Sequence, residues 1–328
     1  MHLKKRPRRL RQNEAIRSML QEHTVSVDDL IMPLFVKSGN SIKEEIPTMP
    51  GQFRYSIDEL IKKVAHLQKL GIKCIALFPI IEDSLKDSMA SEAINEQGLY
   101  LTAIREVKKE FPQMLVMSDI ALDPYSSDGH DGLVDEKSKK ILNDESIDIF
   151  KQMAIAHAKA GADILGPSDM MDGRVRAIRD ALESNGFKDV VIMSYCVKYA
   201  SSFYGPFRDA LDSAPKNGDK KSYQMDYHNK KDALIEARAD EAEGADILMV
   251  KPGLSYLDII QDLSQNSSLP IAAYNVSGEY AMVKFAHQAG AVDEKQIMME
   301  SLTSFKRAGA QIILTYFAEE MAMLLSKS

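Results

Sequence analysis

The chain reads as an α/β protein, a (β/α)8 TIM barrel carrying an extended N-terminal arm. About eight short, near-continuous apolar runs recur along its 328 residues, as strands buried on both faces require. Helical stretches alternate with them. One phrase also repeats, as Ala160-Gly161-Ala162-Asp163-Ile164-Leu165, Glu243-Gly244-Ala245-Asp246-Ile247-Leu248 and Ala308-Gly309-Ala310-Gln311-Ile312-Ile313. Each copy ends a helix in glycine and starts a strand within two residues, the turn found at the bottom of a barrel. No G-x-G-x-x-G follows the first run, which disfavours a doubly wound dinucleotide-binding sheet.

In order, the runs are Leu30 to Val36, Cys74 to Ile80, Met114 to Leu122, Ala162 to Pro167, Val190 to Val197, Ala245 to Val250, Ile271 to Val276 and Ala310 to Phe317. Between the first two, Ser56-Ile57-Asp58-Glu59 reads as a capping box, with Leu60, Ile61, Val64 and Leu67 on one face and Gly71 as the stop. Further on, Ile149, Phe150, Met153 and His157 share a helix face. Two intervals are too long for simple connections, residues 38–55 and 199–228. The second leaves the end of the fifth strand and is expected to be a lid over the site. Residues 1–29 are expected to be an arm making oligomer contacts, and 30–328 the catalytic barrel. The arm opens with Lys4, Lys5, Arg6, Arg8, Arg9 and Arg11, and Ala15, Ile16, Met19 and Leu20 predict a short docked helix.

With 45% hydrophobic and 27% charged residues the composition is that of a soluble globular protein, and the net charge of −7 argues against a nucleic-acid binder. Cys74 and Cys196 lie inside apolar runs, with neither a disulfide framework nor zinc-ligand spacing. No apolar run approaches the roughly 18 residues of a membrane span. The expectation is a cytoplasmic protein with neither membrane nor nucleic-acid partners.

The chemistry is expected where two of these runs end in lysine, Lys198 and Lys251, at the lip where parallel α/β folds keep their sites. Two ammonium groups on adjacent strands destabilise each other's charged form, and burial adds to this, so a lysine that titrates near ~10.4 in water becomes a usable amine nucleophile. Asp119, Asp123, Ser168, Asp169 and Ser277 fall at other strand ends, and Tyr316 within the eighth run. Together with Arg208 and Lys220 of the lid they suit a substrate bearing carboxylates and a carbonyl. An aldolase-type Schiff-base barrel, needing one lysine, is the alternative enzyme reading; a barrel scaffold whose basic arm contacts nucleic acid is the alternative outside enzymes.

Several stretches carry a resemblance that spans nearly the whole chain: Arg6-Pro7-Arg8-Arg9-Leu10-Arg11, Gly166-Pro167-Ser168-Asp169-Met170-Met171-Asp172-Gly173-Arg174, Ser194-Tyr195-Cys196-Val197-Lys198-Tyr199, Met249-Val250-Lys251-Pro252 and Val276-Ser277-Gly278-Glu279-Tyr280. The sequence resembles the porphobilinogen synthase (5-aminolevulinate dehydratase) family. That resemblance implies a homo-octamer of arm-hugging dimers and a lyase condensing two 5-aminolevulinate molecules to porphobilinogen with loss of water. It implies catalytic roles for Lys251, on the propionate side, and Lys198, on the acetate side. Ser277 and Tyr316 would bind the first substrate's carboxylate and Arg208 and Lys220 the second's, with Phe203 in the lid and with Asp119 and Ser168 at a substrate amino group.

Where zinc-dependent relatives carry a cysteine triad, this chain has Ala121, Asp123 and Asp131. Such a set does not suit tetrahedral thiolate zinc. Asp123 and Asp131 are left as candidates for an active-site cation or the substrate ammonium, and His130 beside them as a surface residue. Glu236 matches the family's allosteric Mg²⁺ glutamate near a subunit interface, and one carboxylate suffices for a water-rich Mg²⁺. No organic cofactor is expected.

Overall fold

The computed structural model describes residues 4–211, 215–216 and 218–326. Positions 1–3 of the expected arm, 212–214 and 217 of the expected lid, and 327–328 at the end of the expected barrel lie outside the described residues.

Among the described residues, eight parallel strands close into a barrel: β1 (Leu30–Lys37), β2 (Cys74–Ile80), β3 (Leu115–Ile120), β4 (Ile164–Pro167), β5 (Val191–Lys198), β6 (Ile247–Lys251), β7 (Ile271–Asn275) and β8 (Ile312–Thr315). Each neighbours the next in sequence, and β8 returns to β1 through Leu30↔Ile313 and Ile31↔Leu314. The helices are α1 (Glu14–Met19), α2 (Ile57–Lys69), α3 (Leu99–Glu110), α4 (Asn143–Ala160), α5 (Arg174–Ser184), α6 (Gly205–Leu211), α7 (Lys231–Glu243), α8 (Leu257–Asn266), α9 (Ser277–Gln288), α10 (Glu294–Ala308) and α11 (Ala318–Leu325). Strand and helix follow the hydrophobic pattern: β1 is buried from Leu30 to Val36, and α2 buries Leu60, Val64 and Leu67 along one stripe.

The repeated phrase has a mechanical cause. Gly161, Gly244 and Gly309 end α4, α7 and α10 with φ of 102°, 104° and 112°, a left-handed cap that a side chain would strain. Two residues on, the polar side chain turns back to the neighbouring strand. The Asp163 carboxylate accepts from Val116 N at 2.8 Å, Asp246 from Ile192 N at 2.8 Å, and the Gln311 carbonyl from Ile271 N at 2.7 Å. In each case the same residue's N–H donates to that neighbour's carbonyl, so the strand bottoms are clipped in register from both sides.

Four expectations need correction. The strands are shorter than several of the apolar runs, so Tyr316 lies just past the end of β8 rather than within it. Ser56 precedes α2 but does not cap it: its hydroxyl accepts from Ile42 N at 2.9 Å and donates to Asp58 at 2.5 Å. The excursion of residues 38–55 folds back as the antiparallel pair Lys43–Glu45 and Phe53–Tyr55, which delivers Ile42 to that hydroxyl and outcompetes the cap. The arm does form a helix, α1, but it is not docked on its own barrel, since Leu10, Met19 and Leu20 are 58%, 84% and 51% exposed. His130 is buried rather than on the surface, with Nδ1 3.1 Å from the Tyr223 hydroxyl.

Candidate active site

At the top of the barrel β5 and β6 pair so that Lys251 stands directly beside Lys198. This alignment depends on an irregularity. Leu248 pairs with Ser194 and Val250 with Val197, so β5 spends three residues where β6 spends two. The bulge restores the aim of the lysine. Ser194 faces outward, where its hydroxyl and the carboxylate of Asp240 in α7 are bonded, and Tyr195 faces inward against Lys251. Strict alternation from Tyr195 would then send Lys198 outward, and the extra residue turns it back into the barrel.

The two lysines meet different surroundings. Lys251 Nζ lies among aromatic faces, 4.7 Å from the Tyr274 centroid, 5.1 Å from those of Tyr195 and Phe207, and 5.2 Å from that of Tyr204. Burial in this cage, and then the neighbouring Lys198 charge, bring its pKa down from 10.5 to about 7, against the opposing pull of Asp119, Asp131 and Asp123. The neutral, nucleophilic amine is therefore accessible near neutral pH. Lys198 instead holds an ion pair, with Nζ 2.8 Å from Asp131 Oδ2, and donates to the Ser168 carbonyl.

Asp131 is shared. Its Oδ1 lies 2.5 Å from Lys220 Nζ, which also reaches Asp123 Oδ2 at 3.3 Å, and Gln224 donates to Oδ2 at 3.4 Å. Burial alone would raise the Asp131 pKa, but the two ammonium groups overcome it and hold the carboxyl well below the usual range. The same carboxylates lift the Lys220 pKa against the effect of burial. The carboxylates read from sequence as cation ligands thus have ammonium partners supplied by the chain itself. Among the described residues no group of three or more His, Cys, Asp or Glu side chains is placed to hold a metal ion.

Asp119 rises from β3 into the field of both lysines, with the Ser168 hydroxyl near its carboxyl. Burial first, and Asp123 second, raise its pKa to about 6, with Lys251 opposing. Asp169, fully buried, has its pKa raised to about 7 by burial despite Arg174. The Tyr316 hydroxyl is 3.0 Å from that of Tyr274. Ser277 opens α9, where its hydroxyl accepts from Phe207 N at 3.0 Å and donates to Phe203 O at 3.2 Å, fastening the lid segment that supplies Phe207 to the lysine cage. Arg208 and Phe203 line a cavity of about 600 Å³ outside that cage, with Lys220, Lys221 and Tyr256 among its other walls. Arg208, Lys220 and Lys221 give this cavity three cationic walls.

Glu236 belongs to a separate place. On α7 it sits in the outer helix layer near Arg174, Asp240, Asp172 and Asp232, and burial raises its pKa to about 7. Arg174 is buried and bonds Asp240 at 2.9 and 3.2 Å. One half-buried carboxylate offers a water-rich divalent ion a single ligand, and its raised pKa means that a proton competes with the ion for it.

The comparisons with known proteins bear on this geometry. The family profile for delta-aminolevulinic acid dehydratase matches residues 4–324. The chain belongs to the delta-aminolevulinic acid dehydratase family. Within that family it is 53% identical over 326 residues to the chloroplastic enzyme of Oryza sativa subsp. japonica, covering 99% of this chain and 76% of the relative. It is 51% identical to the enzyme of Halalkalibacterium halodurans, covering 98% and 97%. The crystal structure of the Toxoplasma gondii delta-aminolevulinic acid dehydratase, in complex with the reaction product porphobilinogen, superposes with a TM-score of 0.97 at 51% identity, covering 99% of this chain and 92% of that one.

Sequence reasoning put Lys198 and Lys251 at the ends of adjacent strands, where the structure pairs them. It missed the cage of Tyr195, Tyr204, Phe207 and Tyr274, whose only sequence signal is the density of aromatic residues at inward strand positions and at the start of the lid. It also missed that Ser277 fastens that lid.

Proposed function

We propose that this chain condenses two 5-aminolevulinate molecules to porphobilinogen, as a hydro-lyase of its family, with Lys251 and Lys198 as the two imine-forming amines. The observation that carries the assignment is the pairing of Lys251 with Lys198 in unlike surroundings. A neutral amine in an aromatic cage attacks the ketone of the first substrate and expels water. Lys198 is held by Asp131 and Ser168 until the second ketone arrives. Ser277, its proton turned from the Phe203 carbonyl, binds the carboxylate of the first substrate with Tyr316, and Arg208 and Lys220, in the same cavity as Phe203, bind that of the second. Asp119 and Ser168 orient a substrate amino group, and Asp119, with its pKa near 6, is placed to accept a proton there at neutral pH. Asp123 and Asp131 keep Lys220 and Lys198 in register.

Glu236 would hold a Mg²⁺ ion that neutralises the acidic cluster on α7. The exposed apolar residues of the arm, Leu10, Met19 and Leu20, support the reading that it packs on another copy within an octamer. No helix of the described residues is long and apolar enough to cross a membrane, and a cytoplasmic location is part of the same proposal.

The test is chemical trapping. Borohydride added with 5-aminolevulinate should fix substrate on Lys251, and Lys251→Ala should abolish both the adduct and pyrrole formation. Full turnover by Lys251→Ala would rule the assignment out.

A further inference from the structure

Between β2 and β3 the barrel opens before either strand ends. Their pairing runs from Cys74↔Leu115 to Leu77↔Ser118 and stops, although β2 continues to Ile80 and β3 to Ile120. Above that point each strand stays extended against its other neighbour, β2 on β1 at Lys37↔Ile80 and β3 on β4 at Asp119↔Gly166 and Ile120↔Pro167.

A tyrosine stands at the opening. The ladder starts with Leu115 N donating to Lys73 O at 2.8 Å. Stepping two residues along each strand, as a parallel ladder does, the third bond of that series joins Asp119 N to Leu77 O. Instead the hydroxyl of Tyr100, from α3, fills the interval: it donates to Leu77 O at 2.7 Å and accepts from Asp119 N at 2.8 Å. One oxygen atom is spliced into the ladder at the residue whose carboxyl faces Ser168 and the two lysines.

The splice is braced from behind. His157 of α4 packs edge-on to the Tyr100 ring, with centroids 5.2 Å apart at 84°, and its Nδ1 lies 3.0 Å from the hydroxyl of Ser118, the residue before Asp119. Tyr100, Ser118 and His157 are all buried, in the layer between strands and helices. Polar groups there bring a desolvation cost that aliphatic packing would avoid.

We propose that Tyr100 is a positioning residue for Asp119, its hydroxyl holding the β2–β3 seam open so that the Asp119 carboxyl reaches the substrate amino group beside the paired lysines. The proposal rests on the place given above to Asp119 in the reaction. Removing the hydroxyl lets the seam close toward a direct Asp119 N to Leu77 O bond and moves the carboxyl off its mark. A misplacement of the order of 1 Å costs about 100-fold in rate.

The experiment is a double-mutant cycle on the full-length protein, reading pyrrole formation and melting temperature. Tyr100→Phe keeps the ring and should lower kcat by about 10- to 100-fold, with KM within about twofold and a melting temperature close to the parent. In an Asp119→Ala background the same change should lower kcat by less than about twofold further, because the group it positions is gone. Equal losses in both backgrounds, or a Tyr100→Phe protein as active as the parent, would overturn the proposal while leaving the site intact. An Asp119→Ala protein of full activity would overturn the reading of Asp119 itself. If Tyr100→Phe does not fold, p-aminophenylalanine at position 100, which donates to Leu77 O but accepts poorly from Asp119 N, takes its place in the cycle with the same expected non-additivity.

Discussion

Replacing Lys198 with methionine should make Lys251 a stronger base and a slower nucleophile at neutral pH. The pKa of Lys251 lies at about 7 rather than 10.5, a difference of about 5 kcal/mol between its charged and neutral forms. Burial is the larger cause and the Lys198 charge the next. Adjacent strands are about 4.8 Å apart, so the two ammonium groups sit roughly 6–8 Å from each other, and at an effective dielectric near 20 their repulsion is about 2–3 kcal/mol. Removing it, and freeing Asp131 to attract Lys251, both raise the Lys251 pKa, by at least about one pH unit. The assay is the rate of borohydride-trapped imine at Lys251 against pH, using a 4-oxo acid that lacks the amino group and so needs one lysine. The parent should show an inflection near pH 7; in Lys198→Met it should move upward, lowering the rate at pH 7 about tenfold and leaving the alkaline plateau. An unmoved or acid-shifted inflection would refute the account of how Lys251 is activated. The same pairing has a stability signature with a fixed sign. The folded state holds Lys251 below its unfolded pKa, so the unfolded chain binds more protons between pH 7 and 10.5, and stability from this residue rises with pH across that window.

Two other substitutions probe the lid and the outer carboxylate. A Cβ on Gly278 would come within 2.5 Å of the Phe203 carbonyl, so Gly278→Ala should push the lid segment away from Ser277, raise KM several-fold and admit water to the lysine cage; unchanged kinetics would show that the segment is not seated there during turnover. Glu236→Gln should abolish calorimetric Mg²⁺ binding and any rise of activity with Mg²⁺ while sparing imine trapping, and a retained Mg²⁺ response would remove Glu236 from the proposal.

The barrel was legible because its strands are buried on both faces and therefore nearly uninterrupted in apolar residues, and because helix-ending glycines recur before them. Lys251 was legible for the same reason, as a charge at the end of a run that Pro252 and Gly253 close. Lys198 was found as a run-end lysine, but its inward aim was not readable, since strict alternation from Tyr195 points it outward and only the three-against-two pairing corrects this. The partners of Asp131 were hidden for a different reason. A carboxylate alone cannot say whether a metal, a substrate or a lysine 67 or 89 positions away will neutralise it. Ser56 shows the same limit at short range, where a local capping pattern lost to a backbone amide brought in by a distant turn.

Asp246 and the bulge in β5 act together as a gauge. Asp246 is clipped to Ile192 by two hydrogen bonds at the bottom of the barrel. From there Lys251 is five residues up β6 and Lys198 six up β5, and the extra residue is the bulge that brings them level. The height at which the two amines face each other is therefore measured from a carboxylate at the opposite end of the strands. A slip of one residue at that clip would offset the amines by about 3.3 Å and turn one of them to the wrong side of the sheet.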